Sequence, residues 1–288
     1  MNTRPAPRVT YVGHATTLIE MDGVRLLTDP VLRRRIGPLV RQVGEPDLEG
    51  LSAIDAILVS HLHLDHLDFP SLRLLSSAAP LVVPRGAARL LARRGFADVH
   101  ELDVGNSLCV GPVHIVATPA QHDGGRHPYA RPKSGLGYVI SGALDVYFAG
   151  DTALFPEMEG LWPDLDIALL PVSGWGPTLP EADHMSPLLA ARALELLRPR
   201  MAIPIHWGTY LVPGLDLLFG RGPRGGDETE AIEFGRHAYR HTPQVRTILL
   251  HPGETCDFAG TQKLPFSGCS EGEVTGRSLR GIHAGRRP

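Results

Sequence analysis

This sequence lacks the marks of a secreted, membrane-bound or nucleic-acid-binding protein. Met1 to Arg8 contains no apolar core of a signal peptide. No apolar run approaches the ~20 residues needed to cross a bilayer. A formal net charge of −3 supplies no attraction for nucleic acid or an anionic lipid surface. Cysteine is scarce: Cys109, Cys256 and Cys269 are widely spaced and form no Cys-x-x-Cys pair. That pattern predicts free, structural thiols in a reducing cytoplasm. No internal repeat or linker interrupts the chain before residue 259. One domain is therefore expected over residues 8–258, followed by a Gly-, Ser- and Arg-rich tail over 259–288 that is largely disordered. Hydrophobic residues at 43% against 20% charged suffice for a sizeable core.

What the chain does have is histidine, 14 in 288 residues, and one dense cluster of it. Ala56-Ile57-Leu58-Val59 is short and apolar enough to be a buried strand. Ser60-His61-Leu62-His63-Leu64-Asp65-His66 follows directly. Alternation along an extended chain lets His61, His63 and Asp65 project to one side, while His66 needs a turn to join them. Three imidazoles and a carboxylate at a strand end suit zinc or a similar divalent metal. A catalytic ion needs only three protein ligands, so four here with more downstream suggest two ions.

The rest of the chain repeats the arrangement of an apolar strand followed by a polar end. Val9–His14, Thr16–Met21 and Val24–Thr28 read as strands, with Asp22-Gly23 as a hairpin turn. Residues 31–50 read as irregular. Pro70–Ser77 and Gly86–Arg94 read as helices, and Ser107–Val110 and Val113–Thr118 as strands leading to His122. Residues 123–135 read as a surface loop. Asp145–Ala149 precedes Gly150-Asp151-Thr152, Asp166–Leu170 precedes Pro171, and Met201–Ile205 precedes His206. Ser186 caps a helix running to about Arg198, a further helix spans Asp227 to about Tyr239, and Thr247–His251 is a last strand. In a layered α/β protein such strand ends face one crevice.

Taken in order, His-x-His-x-Asp-His, then His122, Asp151 and His206 resemble the metallo-β-lactamase superfamily. Gly13-His14-Ala15-Thr16 and Ile205-His206-Trp207-Gly208-Thr209 are similar to the branch that holds N-acyl-phosphatidylethanolamine phospholipase D-like and ascorbate-6-phosphate lactonase-like hydrolases. The resemblance implies an αββα sandwich: two mixed β-sheets with helices on the outer faces and a site at one edge. It implies that His61, His63 and His122 hold one metal, that Asp65, His66 and His206 hold a second, and that Asp151 bridges them. The expected cofactors are two divalent ions, Zn2+ first, with Mn2+ or iron as alternatives. The expected chemistry is hydrolysis by a metal-bound hydroxide, with Asp65 and Asp151 orienting it.

The substrate expected is a small molecule, a phosphodiester or phosphorylated compound ahead of a lactone. A di-iron oxidoreductase and a metal-stabilised binding module are the alternatives of other classes. Neither nucleic acid nor an integral membrane segment is expected, and a homo-oligomer is compatible with the sequence. His184, in Glu181-Ala182-Asp183-His184, is left unused by the seven-ligand pattern and is read as a catalytic hydrogen-bond or proton donor. His14 and Asp29 are read either as groups that orient the metal ligands or as polar residues at strand ends. Arg33 to Arg35 read as a solvated charge run, and residues 211–219 as packed apolar chain.

Overall fold

Along β3 (Val24–Thr28), Leu26 and Leu27 are both fully buried, yet they pack into different cores. Successive strand side chains point to opposite faces, so a strand buried on both sides must lie between two layers. The computed structural model describes residues 5–75, 79–126, 135–174, 183–214, 227–259 and 276–278, and it shows those layers. The first sheet runs, edge to edge, β17 (Thr255–Asp257), β1 (Arg8–Gly13), β2 (Thr16–Met21), β3, β6 (Ala56–Leu58), β7 (Leu81–Pro84) and β8 (Val99–Leu102). It is antiparallel from β17 to β3 and parallel from β3 to β8.

The second sheet runs β16 (Arg246–Thr247), β14 (Met201–Ile205), β13 (Ile167–Pro171), β12 (Asp145–Phe148), β11 (Leu136–Ser141), β10 (Val113–Pro119), β9 (Asn106–Val110) and β18 (Gly276–Ser278). Strands β12, β13, β14 and β16 are parallel, and the others pair antiparallel. Tyr11, Ile19, Leu26 and Leu58 from the first sheet share one core with Val139, Phe148 and Leu169 from the second. Leu18, Leu27 and Ile57 face the other way, under α1 (Phe69–Leu74) and α2 (Ala88–Ala92). Helices α3 (Pro187–Leu197) and α4 (Thr229–His241) cover the second sheet through Ala190, Leu194, Phe234 and Ala238. This is the expected αββα sandwich.

Local signals explain most helix boundaries. The Asp68 side chain accepts the Ser71 N–H and Pro70 occupies the first turn of α1. Ser186 does the same for α3, which stops at Arg198 in a left-handed conformation. Elsewhere the sequence misled. The helix expected over Gly86–Arg94 is only Ala88–Ala92, and β7, β8 and β11 were not anticipated. Residues 31–50 hold β4 (Arg35–Ile36) and β5 (Leu39–Arg41), which pair with each other, and β5 also pairs with β15 (Tyr210–Leu211). The strand expected at Thr247–His251 is only Arg246–Thr247, and β17 and β18 follow it.

The expectation about the thiols needs correction, and the expected tail lies almost entirely outside the described residues. Gly276–Ser278 pairs with Asn106–Leu108, so these three residues are regular structure, while the rest of 260–288 lies outside the described residues. Cys109 is disulfide-bonded, not a free thiol, and Cys256 is free. An odd count and wide spacing say nothing about which strands the fold brings together, so the sequence could not exclude a pair. Cys269 lies outside the described residues, as do residues 127–134 of the expected surface loop and 215–219 of the apolar stretch. No described helix is long and apolar enough to cross a membrane.

Candidate metal centre

The strand ends of β6, β12 and β14 open on the same edge, and the residues just beyond them meet there. His61 to His66 follow β6, Asp151 follows β12, His206 follows β14, and His122 follows β10. Gly150 makes the approach feasible: its φ is +61°, and a Cβ there would sit 2.5 Å from the Ser60 Cβ. His14, Asp29 and His206 also hold left-handed backbone, at φ 58°, 34° and 62°. Non-glycine residues rarely adopt such angles, and strain of this kind concentrates at functional sites. The His206 N–H donates to the His14 carbonyl at 2.7 Å, tying two of these residues together.

Six of the seven sequence-predicted ligands fall in two neighbouring groups, and the seventh is Asp151. His61, His63 and His122 each offer a nitrogen within 4.8 Å of the others, and so do His14, Asp65, His66 and His206 with their ligand atoms. Asp151 lies between the groups. Its Oδ2 is 3.2 Å from His66 Nε2 and its Oδ1 is 3.3 Å from His206 Nε2. It also shares a 4.8 Å group with His122 and His184.

Hydrogen bonds fix which ring nitrogens are free to ligate. Asp29 is fully buried and accepts from the Ser60 N–H at 2.7 Å, the Ser60 hydroxyl at 2.5 Å and His66 Nδ1 at 2.7 Å. A carboxylate only accepts, so His66 carries a proton on Nδ1. The Ser60 hydroxyl has spent its proton on Asp29, so its 2.9 Å contact with His61 Nδ1 is donated by the ring. His122 Nδ1 donates to the Asp183 carbonyl at 3.1 Å. The Nε2 atoms of His61 and His122 therefore turn lone pairs to His63 Nδ1, at 3.0 and 3.2 Å. Three nitrogens facing one another with too few protons to share form a cation site, and the fit to a metal is good.

The electrostatics of the second group say the same. Burial works against charge on His66, but Asp151, Asp65 and Asp29 outweigh it and hold its pKa well above the usual imidazole value. Burial likewise pushes Asp151 up, and the surrounding imidazoles, His206 and His66 first, bring it well below the carboxylate range. Burial lowers His61 well below its usual value and takes His206 to about 3. The His66 Nε2 and Asp151 Oδ1 atoms are buried without an aligned hydrogen-bond partner. Without a metal, a proton on His66 balances the carboxylates; a divalent ion supplies that charge instead.

His14 and Asp29 stand where orienting groups should: His14 Nε2 is 3.2 Å from Asp65 Oδ2, and Asp29 grips His66. His184 Nδ1 is 3.6 Å from Asp151 Oδ2 and its ring is 4.9 Å from that of His122. Of the arginines at 33 to 35, Arg33 keeps a partly exposed side chain and pairs as well, its Nε and Nη2 both bonding the Asp68 carboxylate at 2.7 Å. Ser60 was missed as a tautomer-setting residue. Its position between the strand and the first histidine was the only signal, and serines are common there.

The family described as Beta-lactamase superfamily domain matches residues 24–207. A UPF0173 metal-dependent hydrolase of Methanopyrus kandleri is 32% identical over 257 residues, covering 86% of this chain and 98% of that protein. An uncharacterized protein of Mycobacterium tuberculosis is 33% identical, with 70% of this chain aligned to 59% of that one, so the chain spans about three fifths of its length. The N-acyl-phosphatidylethanolamine-hydrolyzing phospholipase D 1 of Caenorhabditis elegans is 33% identical, with 70% of this chain aligned to 64% of that one. Among solved structures, Igni18, a metallo hydrolase from Ignicoccus hospitalis, aligns with 88% of this chain and 98% of its own at TM-score 0.66 and 24% identity. That likeness bears on the fold alone.

Proposed function

The chain belongs to the metallo-β-lactamase superfamily, and from that premise we propose that it is a metal-dependent hydrolase that binds two divalent ions and hydrolyses a phosphodiester or phosphorylated small molecule. His61, His63 and His122 would hold one ion and Asp65, His66 and His206 the other, with Asp151 placed to serve both. One observation carries this reading: the buried Asp151 carboxylate is 3.2 Å from His66, 3.3 Å from His206 and within 4.8 Å of His122, so it faces both groups. Nitrogen-rich groups of this kind suit Zn2+ first, with Mn2+ or iron also able to use the two carboxylates.

When bound, such ions supply Lewis acidity, which activates water and neutralises charge on the substrate's oxygens. The chain's own residues supply direction. Asp65 and Asp151 hold acceptor oxygens against the attacking water and orient its lone pair. His184 is half-buried, and burial lowers its pKa, so its ring is neutral near pH 7 and donates one hydrogen bond. That single N–H serves the substrate's non-bridging or leaving oxygen, and the 3.6 Å between His184 Nδ1 and Asp151 Oδ2 is too long for the carboxylate to claim it.

The phosphodiester reading is supported by the Caenorhabditis elegans relative, whose named substrate is a phosphodiester. The test is a hydrolysis screen of zinc- and manganese-loaded protein over bis(4-nitrophenyl) phosphate, γ-lactones and a chromogenic β-lactam. The phosphodiester should give the highest kcat/KM. Turnover confined to lactones would overturn the substrate class and leave the metal centre standing.

A further inference from the structure

Arg126 belongs to a short segment that begins at the metal-ligand candidate His122, and its guanidinium reaches across to the first ligand loop. Its Nε donates to the Leu62 carbonyl at 2.7 Å, and its Nη2 donates to the Leu67 carbonyl. Those two carbonyls bracket His63, Asp65 and His66. Between them the backbone closes a single turn, with the Leu67 and His66 N–H groups both donating to the His63 carbonyl at 2.8 and 3.1 Å. Leu62 and Leu67 are fully buried, so their carbonyls need protein donors.

The same two segments meet in a backbone bond, Leu62 N–H to Gly124 carbonyl at 3.0 Å. A Cβ at Gly124 would lie 2.8 Å from His61 Cβ, so the chains touch there. Arg126 also lies over the Phe69 ring at 5.1 Å from its centroid, which keeps the side chain from swinging away. Among the described residues it forms no ion pair. A planar guanidinium edge can serve two acceptors at fixed spacing, which an ammonium cannot.

We propose that Arg126 is a positioning residue that staples the His122 segment to the His63–His66 turn, so that each ligand group keeps its geometry only while the other is in place. This rests on the metal-binding reading above. The staple accounts for why a half-buried arginine serves two carbonyls and, among the described residues, no carboxylate.

The test is zinc titration of metal-free protein against a chromophoric chelator, at a temperature where every variant is folded by circular dichroism. Loss of an outer partner of metal ligands costs about 10–100-fold in affinity. Arg126→Met keeps the contact with Phe69 and should weaken both zinc equivalents about tenfold or more. Arg126→Lys keeps the charge and should rescue only part of the loss. Arg94→Met removes the guanidinium that also lies over Phe69, at 5.0 Å, and should leave zinc affinity unchanged. If Arg126→Met binds zinc within threefold of wild type, the staple is refuted, even if its Tm falls. If wild-type protein itself takes up no zinc, the metal-binding reading fails first and the staple fails with it. Should Arg126→Met not fold, Arg126→Lys decides on the same threefold criterion.

Discussion

Replacing Asp29 by asparagine tests the tautomer argument with little change of shape. Asp29 accepts three hydrogen bonds: Ser60 N–H on Oδ1, and the Ser60 hydroxyl and His66 Nδ1 on Oδ2. An amide cannot reproduce this set. If its NH2 replaces Oδ2, it donates to His66 Nδ1, and the ring proton moves to Nε2, the nitrogen that should ligate. If the amide flips, its NH2 faces the buried Ser60 N–H, and two donors collide. Either outcome leaves a buried group mismatched, at a cost of about 1–3 kcal/mol. That is small enough for a domain of ordinary stability, ~5–15 kcal/mol, to stay folded. The specific loss should be in metal affinity, about 10–100-fold for such outer partners, or ~1.4–2.7 kcal/mol. Competition with a chromophoric chelator would measure it, and long-range 1H–15N spectra of the histidines would report the His66 tautomer. Two zinc equivalents bound by Asp29→Asn within threefold of wild type, with His66 still protonated on Nδ1, would refute the reasoning.

Asp151→Ala should abolish turnover and weaken metal retention while circular dichroism stays native, because the two ions lose the carboxylate between them; near-wild-type activity would reduce Gly150-Asp151-Thr152 to a turn. His184→Gln should keep metal content and Tm but lower kcat by about 100-fold or more; unchanged kcat removes it from the mechanism, and lost metal moves it into the ligand set. Metal-free protein should lose stability on acidification. Burial lowers the pKa of His14, His61 and His206, so below the unfolded value of about 6.5 the unfolded chain takes up protons that the fold refuses. Each such histidine costs up to ~1.4 kcal/mol per pH unit below that point. His66, with its raised pKa, is already protonated in the fold there and contributes stability that is lost only as pH rises. Melts in EDTA should show Tm falling from pH 7 to 5.5, and a flat or rising Tm contradicts the buried neutral rings.

The site was more legible in the sequence than the fold around it. Metal ligation demands particular side chains at particular spacings, so His61 to His66, His122, Asp151 and His206 stood out as residue types. Asp29 could be read only as one orienting candidate, because its role depends on Ser60 and His66 being carried to it. Arg126 left no trace: its partners are backbone carbonyls, which any residue supplies, and an arginine among glycines and prolines looks solvated. The strand Leu81–Pro84 escaped notice because a short strand buried on both faces shows no alternation, and Val99–Leu102 because a four-residue, half-buried edge strand carries no apolar run. The Cys109 disulfide escaped because pairing depends on which distant segments the fold brings together.

The central claim, that one bridging carboxylate joins two ligand groups into a dinuclear centre, is tested most directly by counting metal. Protein stripped with a chelator, reconstituted with zinc or manganese and desalted should carry about two metal atoms per chain by inductively coupled plasma mass spectrometry. Saturation at one atom per chain would contradict it.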